Sequence, residues 1–589
     1  MKNRTFQFFG IHQINMKKSI LVSCLLLTVV YTFSQEKKKD TLGTEEINVV
    51  RPYSPTVSDA FKIKSTPRIN DAELNSKKQI RYSIFSVPVA STFTPAKGKA
   101  KVLRIDPSAP IYENYISAGF GTFKTPVLEA FVHTNSTKYN DFGGFFNFLS
   151  SNGGVKDALL NTDYIDSAID LFYNQDDRYY NWQVTGGIRY QKYNWYGLPK
   201  EINFTNAVID GISEKLNYTD IHLGGKLDYE DSFFQGGTAS LYHFTDNEAS
   251  SETHLRANPK VEFPVGDEFI NATGRLEYLG GSFYTNYDNS NDITYGFINA
   301  GIQPNLEIVR DRFSANLGAD LVYSIGTGSG AESKFYAYPN INASFVLIDQ
   351  VATLFAGVDG KLQQNSFKGF TSENPFMSPT LDIKRTDEQY NAYGGIKGQL
   401  ASNISYNFKG SYKSERDKPL YKLNPSKTDG TTEVIKGYEA GNSFGVVYDN
   451  VKTISATAEV QVDFSKAVQF GGTVAYNIYE PTAEPEAWNL PALEITGYGK
   501  ISVDKWFAGG DLFFVGQRYD ELVFSDNTVS KLKLGNYIDL NFNAGYKFTD
   551  QLNVFARVNN VLNSRYQKFA NYNVQGLQFL AGLTYKFDL

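Results

Sequence analysis

Alternation of apolar and polar residues is the feature that most constrains the fold of this chain. It recurs in short segments from about residue 112 to the last residue, with breaks at Asn, Asp, Gly or Ser. Residues 312–323, 404–413 and 453–464 follow it almost without error. Successive side chains of a β-strand point to opposite faces, so a period of two predicts strands with one apolar and one polar face.

Soluble β-sandwiches also alternate, so three further features are needed to assign the fold class. The segments are close to the ~9–11 residues that a tilted membrane strand requires. They recur without a helical stretch, and aromatic residues often end the apolar set, as interfacial girdles require. These features predict an all-β fold, a transmembrane antiparallel β-barrel of roughly 22 strands over residues 112–589.

Composition agrees with a barrel and argues against several other classes. Aromatic residues make up 15% of the chain, yet the mean hydropathy is -0.34, because a barrel wall needs apolar residues only at alternate positions. The net charge of -6 argues against nucleic-acid binding. The single cysteine, Cys24, allows no intrachain disulfide. No catalytic constellation is legible, so we predict neither an enzyme nor a cofactor or metal site, and we expect His222 and His254 to be solvated side chains on the polar face.

An export signal precedes these segments. Met16, Lys17 and Lys18 lead into an apolar run over residues 20–33, which predicts a signal peptide over residues 1–34. Cys24 lies in a lipobox-like context, but apolar residues continue beyond it, which favours an ordinary signal-peptide interior over a lipid anchor. The final segment, residues 579–589, alternates with aromatics and resembles the recognition signal of the outer-membrane assembly machinery. We therefore expect the cell outer membrane as the location and its lipid as a partner.

The last hundred residues resemble the C-terminal barrel of TonB-dependent receptors. Residues 558–566 (VNNVLNSRY) resemble the penultimate-strand motif of that family, residues 539–548 (DLNFNAGYKF) resemble the preceding strand, and residues 516–519 (GQRY) resemble an earlier strand end. The resemblance implies a 22-stranded barrel that imports large or scarce ligands with energy relayed by TonB.

The N-terminal part departs from this family, which carries a folded plug domain before its first strand. Residues 35–111 contain seven of the 20 prolines and little apolar periodicity, so we predict an extended periplasmic or lumenal segment rather than a full plug. Within it, a short stretch resembles a TonB box, which would add a strand to its partner's sheet. Its residues are Glu45, Glu46, Ile47, Asn48, Val49 and Val50. The alternatives are a β-prone stretch in a flexible terminus and a vestige of a plugged ancestor.

Charge is distributed unevenly along the chain. Residues 1–34 carry a net charge of +4 and residues 35–110 a net charge of +6. Since the whole chain carries -6, residues 111–589 carry -16. The basic segment is expected either to enter an acidic lumen as a substitute plug or to lie in the periplasm, where it could bind a partner protein, while the acidity lies in external loops.

Two long connections, Asn365 to Gln389 and Glu415 to Gly437, are predicted to be extracellular loops. Their aromatic residues Phe367, Phe370, Phe376 and Tyr421 are candidates for contact with a ligand or partner, or for folding over the barrel mouth. The predicted function is solute transport gated by the N-terminal segment and the long loops. The alternative is a structural barrel that scaffolds an outer-membrane complex.

Overall fold

A computed structural model describes residues 112–137, 139–230, 232–265, 268–327 and 332–589, and these ranges fold into a closed β-barrel with additions at one rim. The export signal, the TonB-box-like stretch and the proline-rich segment lie outside the described residues. No helix in the described ranges is long and apolar enough to cross a bilayer.

Twenty-two antiparallel strands form the barrel. They are β1 (Asn114–Gly121), β2 (Thr125–Thr137), β3 (Asn140–Ser151), β4 (Tyr164–Asp176), β5 (Tyr180–Asn194), β6 (Lys215–Tyr229), β7 (Phe234–Asp246), β8 (Ser251–Val265), β9 (Glu268–Phe283), β10 (Ile293–Arg310), β11 (Phe313–Gly326), β12 (Lys334–Ile348), β13 (Ala352–Gln364), β14 (Arg385–Ala401), β15 (Ile404–Leu423), β16 (Phe444–Ser465), β17 (Val468–Pro481), β18 (Leu493–Val503), β19 (Trp506–Val515), and, after the hairpins described next, β22 (Tyr537–Lys547), β23 (Leu552–Asn559) and β26 (Gln578–Phe587).

The connections contain the remaining elements of the described part of the chain. These are the hairpins β20 (Arg518–Val523) with β21 (Val529–Leu534) and β24 (Gln567–Phe569) with β25 (Tyr572–Asn573), the helices α1 (Asn206–Gly211) and α2 (Phe367–Glu373), and a 3₁₀ turn (Thr122–Lys124). The helices lie within connections, so they do not interrupt the barrel wall.

Pairing of the first and last strands closes the wall. β1 pairs with β2 on one side and with β26 on the other, where Ile116 faces Tyr585 and Ala118 faces Leu583. Closure leaves the wall without an unpaired edge, which a sheet surrounded by lipid requires. The predicted fold class and strand number are confirmed.

The register confirms the predicted faces of the wall. Ile404 pairs with Val462 and Phe408 with Ala458, so the apolar sets of neighbouring strands share the outer face. Phe408 is 45% exposed on that face, which is the face that meets lipid. The polar sets, such as Lys409 opposite Thr457, line the lumen.

The two rims of the barrel differ in their connections. One rim carries short turns, such as Asp311–Arg312 and Asp504–Lys505, together with the start of β1 and the end of β26. Exposed aromatic side chains surround this rim, including Tyr179, Phe233, Phe464 and Trp506, and they form an interfacial girdle. The opposite rim carries the long connections, which in bacterial barrels are extracellular.

Strand lengths depart from the sequence-based expectation. The predicted connection Glu415 to Gly437 begins too early, because β15 continues to Leu423 and the connection runs from residue 424 to 443. The other predicted connection ends too late, because β14 already begins at Arg385. Above the lipid belt both faces of a strand meet water or protein, so apolar alternation stops while the ladder continues. A bulge between Glu415 and Lys418 hides the continuation further.

The motif of residues 558–566 has a structural role in the long connection that follows β23. Asn560 follows β23 directly and has a φ of 48°, a backbone conformation that Asn tolerates better than most residues. Its side-chain amide donates to the carbonyls of Ser564 (2.8 Å) and Gln575 (2.9 Å) and accepts from the Ser564 amide. The Asn-rich turn therefore fastens both ends of the 560–577 connection.

Candidate functional site

Six long connections fold together into a hydrophobic core at the long-loop rim, which we call the cap. They are the connections 195–214, 284–292, 365–384, 424–443, 516–536 and 560–577. Their buried apolar side chains pack against one another and against the upper ends of strands, with Met377 and Phe444 both fully buried. These connections therefore form a packed core at this rim rather than separate solvated loops.

Phe376 lies at the centre of the cap. Its ring stacks on Tyr572 with 3.5 Å between centroids and meets Tyr196 edge-on at 5.7 Å. Tyr572 donates a hydrogen bond to the carbonyl of Asn442, and Asn442 donates to the carbonyl of Trp195 at 2.8 Å. Four connections are therefore interlocked through one aromatic cluster.

Glycines allow the loops to approach this closely. A Cβ on Gly197 would lie 2.3 Å from the Tyr572 ring, and one on Gly437 would lie 1.8 Å from the carbonyl oxygen of Ser213. Both distances are too short for any side chain, so glycine is required at these contacts.

A buried carboxylate holds α2 against the inner wall of the barrel. Glu252 of β8 is fully buried and accepts from the backbone N–H groups of Phe367 (2.6 Å) and Lys368 (3.1 Å) at the start of α2. The hydroxyls of Tyr295 (2.8 Å) and Tyr242 (3.1 Å) also donate to it. An anion at a helix N-terminus satisfies amides that have no partner within the helix.

Lys368 provides a second attachment of α2. Its ammonium group lies 2.7 Å from the Asp220 carboxylate of β6 and 4.2 Å from the Tyr242 ring centroid. Asp220 in turn lies 3.6 Å from His222, whose other ring nitrogen lies 2.9 Å from Asp170. We call the contacts of Glu252 and Lys368 the α2 latch, since they fix this part of the cap to the wall.

A polar network continues below the latch. The His254 ring nitrogens lie 2.8 Å from Glu277 and 3.0 Å from the Tyr242 hydroxyl, and Arg256 and Asn299 donate to the same Glu277 carboxylate. His254 is 1% exposed. Both His222 and His254 face inward as expected, but the expectation that His254 is solvated is wrong, because Tyr242, Arg256 and Glu277 contact its ring nitrogens.

The hairpin β20–β21 is joined to β15 through a buried aspartate. Asp520 accepts from the Leu423 amide (3.0 Å) and the Asn489 side chain (2.7 Å). Burial raises the pKa of Asp520 to about 6, since desolvation outweighs these hydrogen bonds. This part of the cap therefore contains a carboxylate that titrates close to neutral pH.

A cavity of about 490 Å³ lies where the cap meets the inner wall. Strands β13–β15 contribute one side, and the connections 365–384, 482–492, 516–536 and 560–577 contribute the other. Charged and aromatic side chains both line it. Its volume falls in the range of about 300–1,000 Å³ that is usual for small-molecule sites.

The predicted loop candidates occupy different positions around this cavity. Phe370 and Tyr421 line it, whereas Phe367 and Phe376 are buried in the cap core. Tyr421 lies on β15 rather than in a loop, and its hydroxyl donates to the Glu373 carboxylate. Contact of these four residues with a ligand or partner stays a prediction.

A second cavity of about 410 Å³ lies on the inner wall of β3–β6 at the short-turn rim. Asp141, Asp176 and Asp228 line it together with one cation, Lys226, which lies 2.6 Å from Asp228. Part of the acidity of the barrel therefore faces the lumen.

Comparison with solved structures identifies the architecture. No protein-family model matches the chain, and no curated protein matches it in sequence. The pyoverdine outer-membrane receptor FpvA of Pseudomonas aeruginosa superimposes with a TM-score of 0.61 at 12% identity, over 81% of this chain and 78% of that one. This chain has the barrel fold of TonB-dependent outer-membrane receptors.

Two further receptors have the same fold. The FrpB iron transporter of Neisseria meningitidis matches with a TM-score of 0.59 at 11% identity, over 80% of this chain and 82% of that one. The ferric enterobactin receptor PfeA of P. aeruginosa matches with a TM-score of 0.56 at 12% identity, over 80% of each chain. At these identities the likeness establishes the TonB-dependent-receptor fold, and the ligand has to be argued from this chain's own residues.

Sequence reasoning missed the α2 latch. Glu252 belongs to an inward-facing polar set, and nothing local distinguishes it from solvated lumen residues such as Glu459. The local signal that was present is Ser366, whose hydroxyl accepts from the Gly369 amide (3.0 Å) and caps α2. This N-terminal capping residue predicts a helix in the connection, but it does not predict which wall residue contacts that helix.

Proposed function

We propose that this chain is an outer-membrane transport barrel in which the cap controls solute entry from the long-loop rim. The observation that carries the proposal is the α2 latch, whose hydrogen bonds and one ion pair hold helix α2 of the cap against the lumen wall. Phe367 adds ring contacts with Tyr218, Phe244 and Phe283 of the strands. Because the latch holds one short helix, release of that helix does not require the wall to unfold.

The N-terminal segment is proposed to control the opposite end of the lumen. Its net charge of +6 complements the acidic cavity at the short-turn rim, which is also the rim at which β1 begins. Opposite charges attract at moderate salt. Solute passage would then require release of both the cap and the basic segment.

Conductance in planar bilayers tests both controls. We expect low conductance for the full chain, an increase when Glu252→Gln weakens the latch, and a further increase when residues 35–110 are deleted. Lys531→Gln is the matched control, because Lys531 is an exposed residue of β21 that pairs with Glu486 and takes no part in the latch, and it is expected to leave conductance unchanged. Equal conductance in all four proteins would argue against gated transport.

The same function implies a periplasmic energy source. Residues 45–50 would pair with a strand of TonB through main-chain hydrogen bonds, which give affinity with little sequence demand. A purified periplasmic TonB domain should retain the full chain and fail to retain a chain lacking residues 45–50. Retention of both would remove the proposed contact.

The scaffolding alternative makes a different prediction. A mild-detergent pull-down from native membranes should then recover stoichiometric partner proteins, and no variant should alter conductance or uptake. Recovery of the barrel without partners, together with latch-dependent conductance, would favour transport.

A further inference from the structure

The cavity beneath the cap, introduced above at about 490 Å³, has an unbalanced charge. Its lining includes five cationic side chains and three carboxylates. All three carboxylates have partners within the lining: Glu388 lies 3.5 Å from Lys413, Glu415 lies 2.6 Å from Lys418, and Glu373 accepts from the Tyr421 hydroxyl.

Three cations remain without a carboxylate partner in the described part of the chain. They are Lys361 on β13, Arg518 at the start of β20 and Lys568 on β24. The cavity therefore has a net charge of +2, although residues 111–589 together carry -16. A local excess of positive charge in an acidic barrel favours binding of an anion at this place.

Arg518 brings a buried positive charge to the lining of this cavity. It is 5% exposed, and its two terminal nitrogens donate to the backbone carbonyls of Lys568 and Gln567. Its Nε atom is buried and has no acceptor among the described residues. Burial also lowers the pKa of this guanidinium, because desolvation destabilises its charged form, and a bound anion would offset that destabilisation.

Aromatic side chains border the same space. The guanidinium of Arg518 lies 5.6 Å from the Tyr537 ring centroid, and Tyr537 stacks on Tyr566 with 3.9 Å between centroids. Tyr421 and Phe569, which are both partly exposed, provide further apolar surface. Such walls suit a flat apolar body whose acidic groups reach the cations.

We propose that this cavity binds a planar organic anion with two acidic groups, held by Lys361, Arg518 and Lys568. The inference rests on the proposed transport function and adds the chemical class of the solute. The aromatic walls hold the body of the solute, and the unpaired cations neutralise its charge.

Equilibrium dialysis of the full chain in detergent micelles tests the site with a defined probe pair. Terephthalate carries two carboxylates on one ring, and para-benzenedimethanol replaces both with uncharged hydroxymethyl groups. We expect terephthalate to bind roughly tenfold or more tightly than the diol, and to weaken as salt is raised. Equal binding of the two compounds would overturn the proposal.

Two charge-removing variants locate the site. Lys361→Gln and Lys568→Gln are each expected to weaken terephthalate binding roughly three- to tenfold, and the double variant more than either. Both side chains are exposed to the cavity, so folding should be unaffected. Lys531→Gln is the matched control, because Lys531 lies on the neighbouring strand β21 and pairs with Glu486 outside the cavity. Weakening by the control alone, or by none of the three, would contradict the assignment.

Uptake into proteoliposomes separates this inference from the proposed function. If terephthalate binding depends on the cations but terephthalate does not pass through any latch variant, the anion site is supported and the transport function is contradicted. If solutes pass through the latch variants with no preference for terephthalate over the diol, the transport function is supported and the anion site is contradicted.

Discussion

The cap and the wall use apolar side chains in opposite ways. In the cap, Met377 and Tyr572 are buried among other side chains, as in the core of a water-soluble protein. In the wall, Leu171 is 61% and Leu276 57% exposed on the outer face, where lipid is the solvent. One chain is thus stabilised by the hydrophobic effect in its loops and by a closed hydrogen-bond ladder within the bilayer.

This difference teaches that the two regions can fail separately. Packing in the cap is sensitive to the volume of each side chain, whereas the wall tolerates changes of apolar shape but not of charge on its outer face. Opening of the cap is expected to leave the barrel closed. The following changes are ordered from the largest expected effect to the smallest.

Removing the central ring of the cap should have the largest effect. Phe376→Ala deletes the stack on Tyr572 and leaves a cavity, so we expect about 3–5 kcal/mol loss in the stability of the cap. The measurement is the rate of protease cleavage within residues 365–384, which follows the open population. Phe408→Ala, on the outer wall, is the control and should leave the cleavage rate unchanged. Equal cleavage in the wild type and Phe376→Ala would contradict a packed cap.

A charge on the wall should distinguish its two faces. Val474 faces lipid and its neighbour Thr473 faces the lumen at the same depth. Val474→Arg is expected to cost about 2–4 kcal/mol of unfolding free energy in phospholipid vesicles, and Thr473→Arg much less. Equal costs in denaturant titrations would show that the assigned faces are wrong.

Weakening the latch should loosen α2 without disturbing the rest of the cap. Glu252→Gln removes the charge of the group that accepts hydrogen bonds from the Phe367 and Lys368 amides. We therefore expect the opening free energy at these two amides to fall by about 1.5–3 kcal/mol. Hydrogen exchange resolved at these amides measures the loss. The amide of Ala440, buried elsewhere in the cap, serves as the internal control. A uniform loss across cap and wall would argue against a local latch.

A pH change should produce the smallest effect. The pKa of Asp520 is about 6 in the folded cap, above the ordinary value of 3.8, so the folded state binds more protons between these values. Cap stability should therefore rise as pH falls, by about 1 kcal/mol between pH 7 and pH 5. The opening free energy of residues 518–534 from hydrogen exchange measures it. Asp520→Asn should abolish the dependence, and an unchanged slope in that variant would assign it to another group.

Two other loop carboxylates, Asp429 and Asp526, do not contribute to the pH dependence between pH 5 and pH 7. Hydrogen bonds from Thr431 and Thr432 lower the pKa of Asp429, and those from Thr528 lower the pKa of Asp526. Their stabilising effect is present above the ordinary value and is lost only at lower pH, so they do not titrate between pH 5 and pH 7.

The wall was predictable from the sequence because the alternation of apolar and polar residues is a local pattern within each strand. Side chains such as Leu317 and Asn316 report their own face through a period of two, and about 22 such segments determine a closed barrel. The same pattern fails above the lipid belt, which is why Tyr421 was predicted to lie in a loop although β15 extends through it.

The cap was not predictable in the same way, because its contacts join residues far apart in sequence. Phe376 meets Tyr572, and Glu252 meets the amides of α2 across more than a hundred residues. Aromatic residues in a long loop suggested either ligand contact or closure of the mouth, and no local pattern decides between them. Only the packing of six connections reveals which rings are buried.

Hydrogen–deuterium exchange of the full chain in lipid nanodiscs, followed at increasing denaturant, tests the central claim most directly. The two-region account predicts that residues 365–384, 424–443 and 560–577 open together at a denaturant concentration at which the strands remain protected. A single transition shared by these connections and the strands would contradict it, as would rapid, uncoordinated exchange of the three connections without denaturant.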